Sequence, residues 1–175
     1  MSGLFPDPDP HRYDVVPETT GPDLTSMAGR TSRALHAYWR SLAEGTRMPR
    51  AGDFSPMDIY KLAPSLLLLD VLCDADERLR HRYRYVGTRI VEYRRLRGLG
   101  DHTGMFADAA PRYYSGSQLI ESYMMCTEQA VPMLTMGIWQ GSGVSGRFER
   151  LVLPLFDDDG AVSRLAACVD RFGDE

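Results

Sequence analysis

The sequence lacks any hydrophobic run long enough to cross a bilayer, which requires about 20 apolar residues. Its first residues, "MSGLFPDPDPHRYDV", also lack the basic stretch followed by an apolar stretch that is typical of a secretory signal. We therefore expect a cytoplasmic protein that makes no contact with membranes.

Cysteine is scarce and follows no pattern. Cys73, Cys126 and Cys168 are odd in number, far apart in the chain and surrounded by apolar residues, without a CxxC pair. This spacing indicates neither a zinc site nor a redox site. We expect three small, buried hydrophobic side chains and no bound metal.

Positive charge is in deficit, and Lys61 is the only lysine. The 20 basic and 24 acidic residues give a net charge of -4, which disfavours general attraction to polyphosphate. The arginine-rich residues 78–97 contain "HRYRY", which lacks the glycine-aromatic pattern of an RNA-recognition strand. We expect no nucleic-acid partner and interpret these arginines as solvated, ion-paired or facing an acidic protein.

What is present fits one domain with an N-terminal arm. Residues 1–28 mix Pro, Asp, Gly and Thr without periodicity, which predicts a flexible arm, and residues 29–175 form the single domain. The domain opens with a predicted amphipathic helix over residues 31–44. Its apolar positions recur at spacings of three and four: Leu35, Tyr38, Trp39 and Leu42.

The run "SLLLLDVL" after Pro64 has the length of a buried strand. Since successive side chains of a strand point to opposite faces, the four leucines at 66–69 require both faces to be covered. Helices are expected on one face and the 31–44 helix on the other. The next strand, "LRHRYRYVGT", places His81, Tyr83 and Tyr85 on one face and arginines on the other.

Helical patterns follow over residues 87–97 and 112–130, and three strand-like runs end the chain: "VPMLTMGIWQ", "GRFERLVLPLF" and "AVSRLAACVDRF". Turn-forming "GSGVSG" and "DDDG" join these runs into an antiparallel meander. The order of elements predicts an α+β fold, a five-stranded antiparallel sheet with flanking helices.

Several motifs occur together in one order: "ALHAYWRSLAEGTRMPRAGDFSPMDIYKLAPSLLLLDV", then "RYRYVGTRIVE", then "GDHTG". Residues 31–172 resemble a bacterial family of PAS-like domains, PAS family 5, common in alphaproteobacteria. The resemblance implies a PAS fold and a role in sensing or partner binding rather than turnover. Lys61 and Ser65 depart from the Arg and His expected at these positions.

PAS domains often hold a small molecule between the sheet and the helices, in a cavity lined by apolar and aromatic side chains and a few polar groups. The alternative is that such side chains simply pack together as a filled core. The candidates for the pocket are Tyr83, Tyr85, Tyr93, Met105, Tyr123, Met136, Trp139 and Arg150.

Two common PAS cofactors are disfavoured. Haem needs an axial ligand, yet residues 112–130 contain no histidine, and His102 lies in a loop sequence typical of solvent exposure. A photoactive flavin needs a cysteine in an "NCRFLQ"-like helix, a context that Cys126 lacks. The "GLGDHTG" segment follows a helix, so it is no dinucleotide site either.

Three functions remain as hypotheses. The first is a stand-alone sensory or adaptor domain that binds a small ligand, a signalling protein or both. For such a domain we also consider a homodimer formed through the 31–44 helix. The second is an enzyme using Asp70, His81 or His102, although nothing in their spacing pairs them. The third is an interaction module without a ligand. We favour the first and expect no catalysis.

Overall fold

The computed structural model describes residues 14–45, 47–112, 118–141 and 144–172. None of the helices in these ranges is long and apolar enough to cross a bilayer. In chain order the elements are β1 (Asp14–Gly21), α1 (Arg30–Ser41), a 3-10 turn (Ala63–Ser65), β2 (Leu66–Cys73), β3 (Leu79–Val86), α2 (Thr88–Arg95), α3 (Gln118–Gln129), β4 (Met133–Gly141), β5 (Val144–Phe156) and β6 (Val162–Phe172).

The strands form one antiparallel sheet in the order β1-β4-β5-β6-β2-β3. The predicted α+β fold is confirmed, with one strand more than expected. The extra strand, β1, comes from the segment assigned to a flexible arm, of which residues 1–13 lie outside the described ranges. Its valines and threonines suit a strand, but it pairs with residues far away in the chain, as Thr20 does with Thr135.

The four leucines of β2 are buried on both faces of the sheet, as the sequence predicts. Leu67 and Leu69 pack on what we call the cavity face, beneath α3 and near α2. Leu66 and Leu68 pack on the opposite side, the α1 face, which α1 covers through contacts with β5 and β6. Each of these leucines is at most 7% exposed, so the sheet is the middle layer of three.

Helix α1 uses its apolar side within its own chain. Leu35 and Trp39 are buried against the sheet, and the Trp39 indole N–H donates to the Pro154 carbonyl at 2.7 Å. Tyr38 and Leu42 are half-buried at the edge of the same cluster. These four residues therefore pack on the α1 face, and a homodimer through them stays a prediction.

A β-bulge shifts the register between β2 and β3. Leu68 pairs with Tyr85, but Leu69 pairs with Tyr83, so Arg84 is the extra residue. The alternation predicted for β3 is therefore interrupted: Tyr83 points to the cavity face, whereas Tyr85 points to the α1 face. Strict alternation had placed both tyrosines on one side.

Two carboxylates of the sheet hold the N-terminal end of α1. Glu149 is fully buried and accepts hydrogen bonds from the backbone N–H groups of Ala28, at 2.8 Å, and Gly29, at 3.0 Å. Asp170, directly across from Glu149 on β6, accepts from two N–H groups in the first turn of α1 and from the Ser32 hydroxyl at 2.8 Å. Negative charge at a helix N-terminus is favourable because it meets unsatisfied N–H groups and the positive end of the helix dipole.

All three cysteines are free thiols. Cys126 and Cys168 are buried, and burial raises the pKa of the Cys168 thiol to about 12, which keeps it protonated. Cys73, at the end of β2, is exposed, so the expectation of burial is wrong for this residue. β2 ends there, past the part of the strand that β6 pairs with.

Because the start of α1 contacts the two carboxylates closely, we expect Gly29→Ala to destabilise the domain. The backbone of Gly29 has a φ of -61°, which alanine adopts readily, but a Cβ there would lie 2.6 Å from Glu149 Oε1 and would also overlap the Asp170 carboxylate. We expect a loss of about 2 kcal/mol in the free energy of unfolding, measured by urea denaturation.

Gly52→Ala is the matched control, because a Cβ at that position meets nothing within 4 Å. It should change stability by less than about 0.5 kcal/mol. Equal effects of the two substitutions would show that the carboxylates do not clamp the start of α1.

Candidate functional site

The cavity face of the sheet and the helices above it line a cavity of about 450 Å³ that is partly open to solvent. Side chains reach it from β2 to β6, from α2 and α3, and from residues 102–112 between those helices. This volume lies within the usual range for small-molecule sites, about 300 to 1,000 Å³.

Five of the eight predicted pocket residues line this cavity. The remaining three lie elsewhere, each for a reason of local backbone geometry. The five are Tyr83, Tyr93, Tyr123, Trp139 and Arg150.

Tyr85 lies on the α1 face because of the bulge in β3, and its hydroxyl donates to the Ala63 carbonyl at 3.0 Å. Met136 also points to the α1 face, since it directly faces Glu149 across β4 and β5. Met105 is 39% exposed and lies in a segment whose backbone caps the outer edge of β3. These three residues do not belong to the cavity.

Glycine makes room for the largest ring of the site. Trp139 on β4 pairs with Gly146 on β5, and a Cβ on Gly146 would lie 2.7 Å from the Trp139 ring. The indole therefore lies close against the backbone of Gly146. Phe148, two residues further along β5, adds another ring to the same face.

Positive charge dominates the polar groups of the cavity. Asp170 is the only acidic residue among the described residues that line it, and its carboxylate is engaged with the start of α1. The arginines of the lining are Arg89, Arg94, Arg112, Arg150 and Arg171.

Arg150 is the most deeply buried of these arginines. Its side chain comes from the middle of β5, the residue is 5% exposed, and its guanidinium lies 5.8 Å from the Phe148 ring. Its Nε and Nη2 atoms contact no hydrogen-bond acceptor among the described residues. A buried guanidinium without an acceptor is costly, so these two N–H donors are the chemically unsatisfied point of the site.

The charges of three arginines of the lining act on the Tyr83 hydroxyl. Burial raises the pKa of Tyr83, while a hydrogen bond with Tyr123 and the charges of Arg94, Arg150 and Arg112 act in the opposite direction. The phenol therefore stays protonated and able to donate, in surroundings that favour negative charge. Sequence reasoning named Arg150 but missed Arg94 and Arg112.

His102 belongs to the cavity as well. The sequence context predicted a solvated loop histidine, but the residue is 4% exposed and its ring lies edge-on to Tyr83 at 4.2 Å. Burial first, and then the charge of Arg94, lower the pKa of His102 to about 4. At neutral pH the imidazole is thus uncharged.

The rim of the cavity carries an arginine-tyrosine stack. The guanidinium groups of Arg97 and Arg171 lie 3.3 Å and 3.7 Å from the centre of the Tyr93 ring. Such stacking of guanidinium on an aromatic ring is attractive. It links α2 to β6 and fixes the position of Tyr93 at the site.

The residues considered for catalysis are not brought together. Asp70 lies on the α1 face and pairs with Arg82, Arg84 and Arg164 at 3.4 to 3.5 Å. His81 lies on the cavity face. Within the described residues, no three His, Cys, Asp or Glu side chains are grouped so that they could hold a metal ion.

A comparison of the sequence with models of protein families identifies the family of this chain. A family model described as a PAS domain matches residues 27–169, from just before α1 to within β6. The chain belongs to the PAS domain family. A search of curated proteins finds no match. Strand β1 precedes the matched region, so it is an addition to the PAS domain at its β4 edge.

Members of the PAS family are generally sensory or interaction modules without catalytic activity. The predicted membership of a PAS family is confirmed, and so is a sensory or interaction role at this general level. The cavity of this PAS domain lies between the sheet and the helices, as the resemblance implied.

The buried histidines predict a pH-dependent stability. His81 is 4% exposed, and its Nε2 donates to Thr127 Oγ1 at 2.8 Å, because the threonine hydrogen is donated to the Tyr123 carbonyl. Burial lowers the pKa of His81 from 6.5 to about 4. The unfolded chain therefore takes up a proton at higher pH than the folded chain, and stability present above pH 6.5 is lost as the pH falls toward 4.

We expect the titration of His81 to lower the free energy of unfolding by on the order of 3 kcal/mol as the pH falls from 6.5 to about 4. Urea denaturation at pH 7, 5.5 and 4.5 measures it. His81→Gln keeps a donor for Thr127 but cannot titrate. The free energy of unfolding of this variant should therefore depend less on pH than that of the wild type, and His102 contributes to the dependence that remains. An identical slope for the wild type and His81→Gln would contradict the account.

Proposed function

We propose that this PAS domain is a sensory module that binds a small molecule in the cavity and passes its occupancy to a signalling protein. The observation that carries the proposal is the cavity itself, about 450 Å³ in volume and lined by aromatic rings and a buried arginine without an acceptor. A core that served packing alone would gain stability by filling this volume with apolar side chains.

The lining also supplies a route from the cavity to the surface. Arg94 lies in the cavity, and its Nε donates to the Gly100 carbonyl at 3.0 Å, so α2 is tied to the segment that follows it. The same region presents the exposed side chains of Leu96 and Met105. A ligand changes the partner-binding state of this region only if it binds one arrangement better than another.

The three free cysteines are compatible with a reducing compartment. We therefore propose that the module acts in the cytoplasm, where a signalling protein is its partner.

Native mass spectrometry tests the proposal. The purified protein is incubated with a small-molecule extract of bacterial cells, desalted and sprayed under non-denaturing conditions. We expect a complex with one bound small molecule in addition to the free chain.

Ala110→Phe provides the control, because Ala110 lines the cavity and a phenyl ring there would occupy part of the volume. The variant should retain its circular dichroism spectrum and lose the bound mass. If the wild type carries only its own mass, or if the variant retains the bound molecule, the proposal is wrong.

A further inference from the structure

We propose that the cavity binds a small organic anion, a carboxylate or phosphate monoester on an apolar, ring-sized body, and that Arg150 binds its anionic group. This inference rests on the proposed ligand-binding function and specifies the chemical class of the ligand. It is carried by the position of Arg150, by the absence of a free carboxylate among the described lining residues, and by the rings around the cavity.

Arg150 and its neighbour Glu149 show the difference between a satisfied and an unsatisfied buried charge. Glu149 points to the α1 face, where two backbone N–H groups donate to it. Arg150 points to the cavity face, where its Nε and Nη2 contact no acceptor among the described residues. A guanidinium can present two parallel N–H donors, a geometry that matches a carboxylate or a phosphate.

Further positive charge surrounds the same point. Arg94 and Arg112 act with Arg150 on the Tyr83 hydroxyl, and the Nη1 of Arg112 is also buried without an acceptor among the described residues. The Asp170 carboxylate already accepts three hydrogen bonds from the start of α1. A cationic ligand would be repelled, and a neutral one would offer no charged acceptor to Nε and Nη2 of Arg150.

The aromatic side chains that line the cavity determine which non-ionic part of a ligand fits. Tyr83, Tyr123, Trp139 and Phe148 surround the cavity with aromatic surface, which favours an apolar ring over a fully hydrated ion. Inorganic phosphate alone would leave this surface without a contact. The chemistry of the cavity thus joins an anion site to an apolar slot.

Three compounds with one ring system test the inference: 2-naphthoate, 2-naphthyl phosphate and 2-naphthamide, which is neutral. Isothermal titration calorimetry measures each against the whole protein. We expect at least one of the two anions to bind about 100-fold more tightly than the amide, since a buried charge pair would form only with the anions. The tighter anion identifies the head group, and inorganic phosphate should not compete.

Arg150→Met should weaken binding of the preferred anion by about 100-fold. Arg164→Met is the control, because Arg164 is a partly buried arginine of the same sheet that points to the α1 face and pairs with Asp70; it should leave the affinity unchanged. Without ligand, Arg150→Met should unfold at the same temperature as the wild type or higher, whereas a structural arginine would lower it.

Equal binding of the amide and the anions would overturn the inference but leave the proposed function intact, since the cavity would still take a small molecule. Unchanged anion affinity in Arg150→Met, or a lowered unfolding temperature of that variant without ligand, would overturn the role of Arg150. Failure of all three compounds to bind would also count against the inference, and the mass-spectrometric experiment above would decide the proposed function separately.

Discussion

Two neighbouring charges in the middle of β5 are buried on opposite faces of the sheet. Glu149 lies under the start of α1 and accepts hydrogen bonds from backbone N–H groups. Asp170, beside it on β6, also accepts hydrogen bonds from backbone N–H groups of α1. This fixes α1 across one face and leaves the other face to α2 and α3. The Arg150 guanidinium, on that second face, has no comparable partner among the described residues, and the cavity lies where such a partner would be.

The two faces also differ in how they are packed. On the α1 face, leucines from β2 and β5 meet Leu35 and Trp39 in a continuous apolar cluster. On the cavity face, a similar cluster under α3 borders the cavity, where rings and arginines join the aliphatic side chains. The apolar core of the domain thus consists of the α1 layer and the cluster under α3.

Much of the fold follows from local pattern. The buried run of β2, the alternation of β3 and the three closing runs predicted strands at the observed places, because burial on a strand leaves a period of two in the sequence. Strand β1 was missed since its pairing with β4 joins residues more than 100 positions apart. The bulge at Arg84 was missed because one extra residue leaves no trace in composition, and it moved Tyr85 out of the predicted pocket.

The site was predicted only in part for a similar reason. Rings on the strands could be assigned by alternation, but Arg94 and Arg112 come from a helix and from the segment after it, and their approach to Tyr83 depends on tertiary packing. An arginine within the apolar run of β5 was the one visible signal. The most direct test of the central claim is a crystal structure of the protein with 2-naphthoate. The account predicts the carboxylate within hydrogen-bond distance of Nε and Nη2 of Arg150, with the ring among Tyr83, Tyr123 and Trp139. A compound bound outside the cavity, or an Arg150 side chain turned away from the carboxylate, would contradict it.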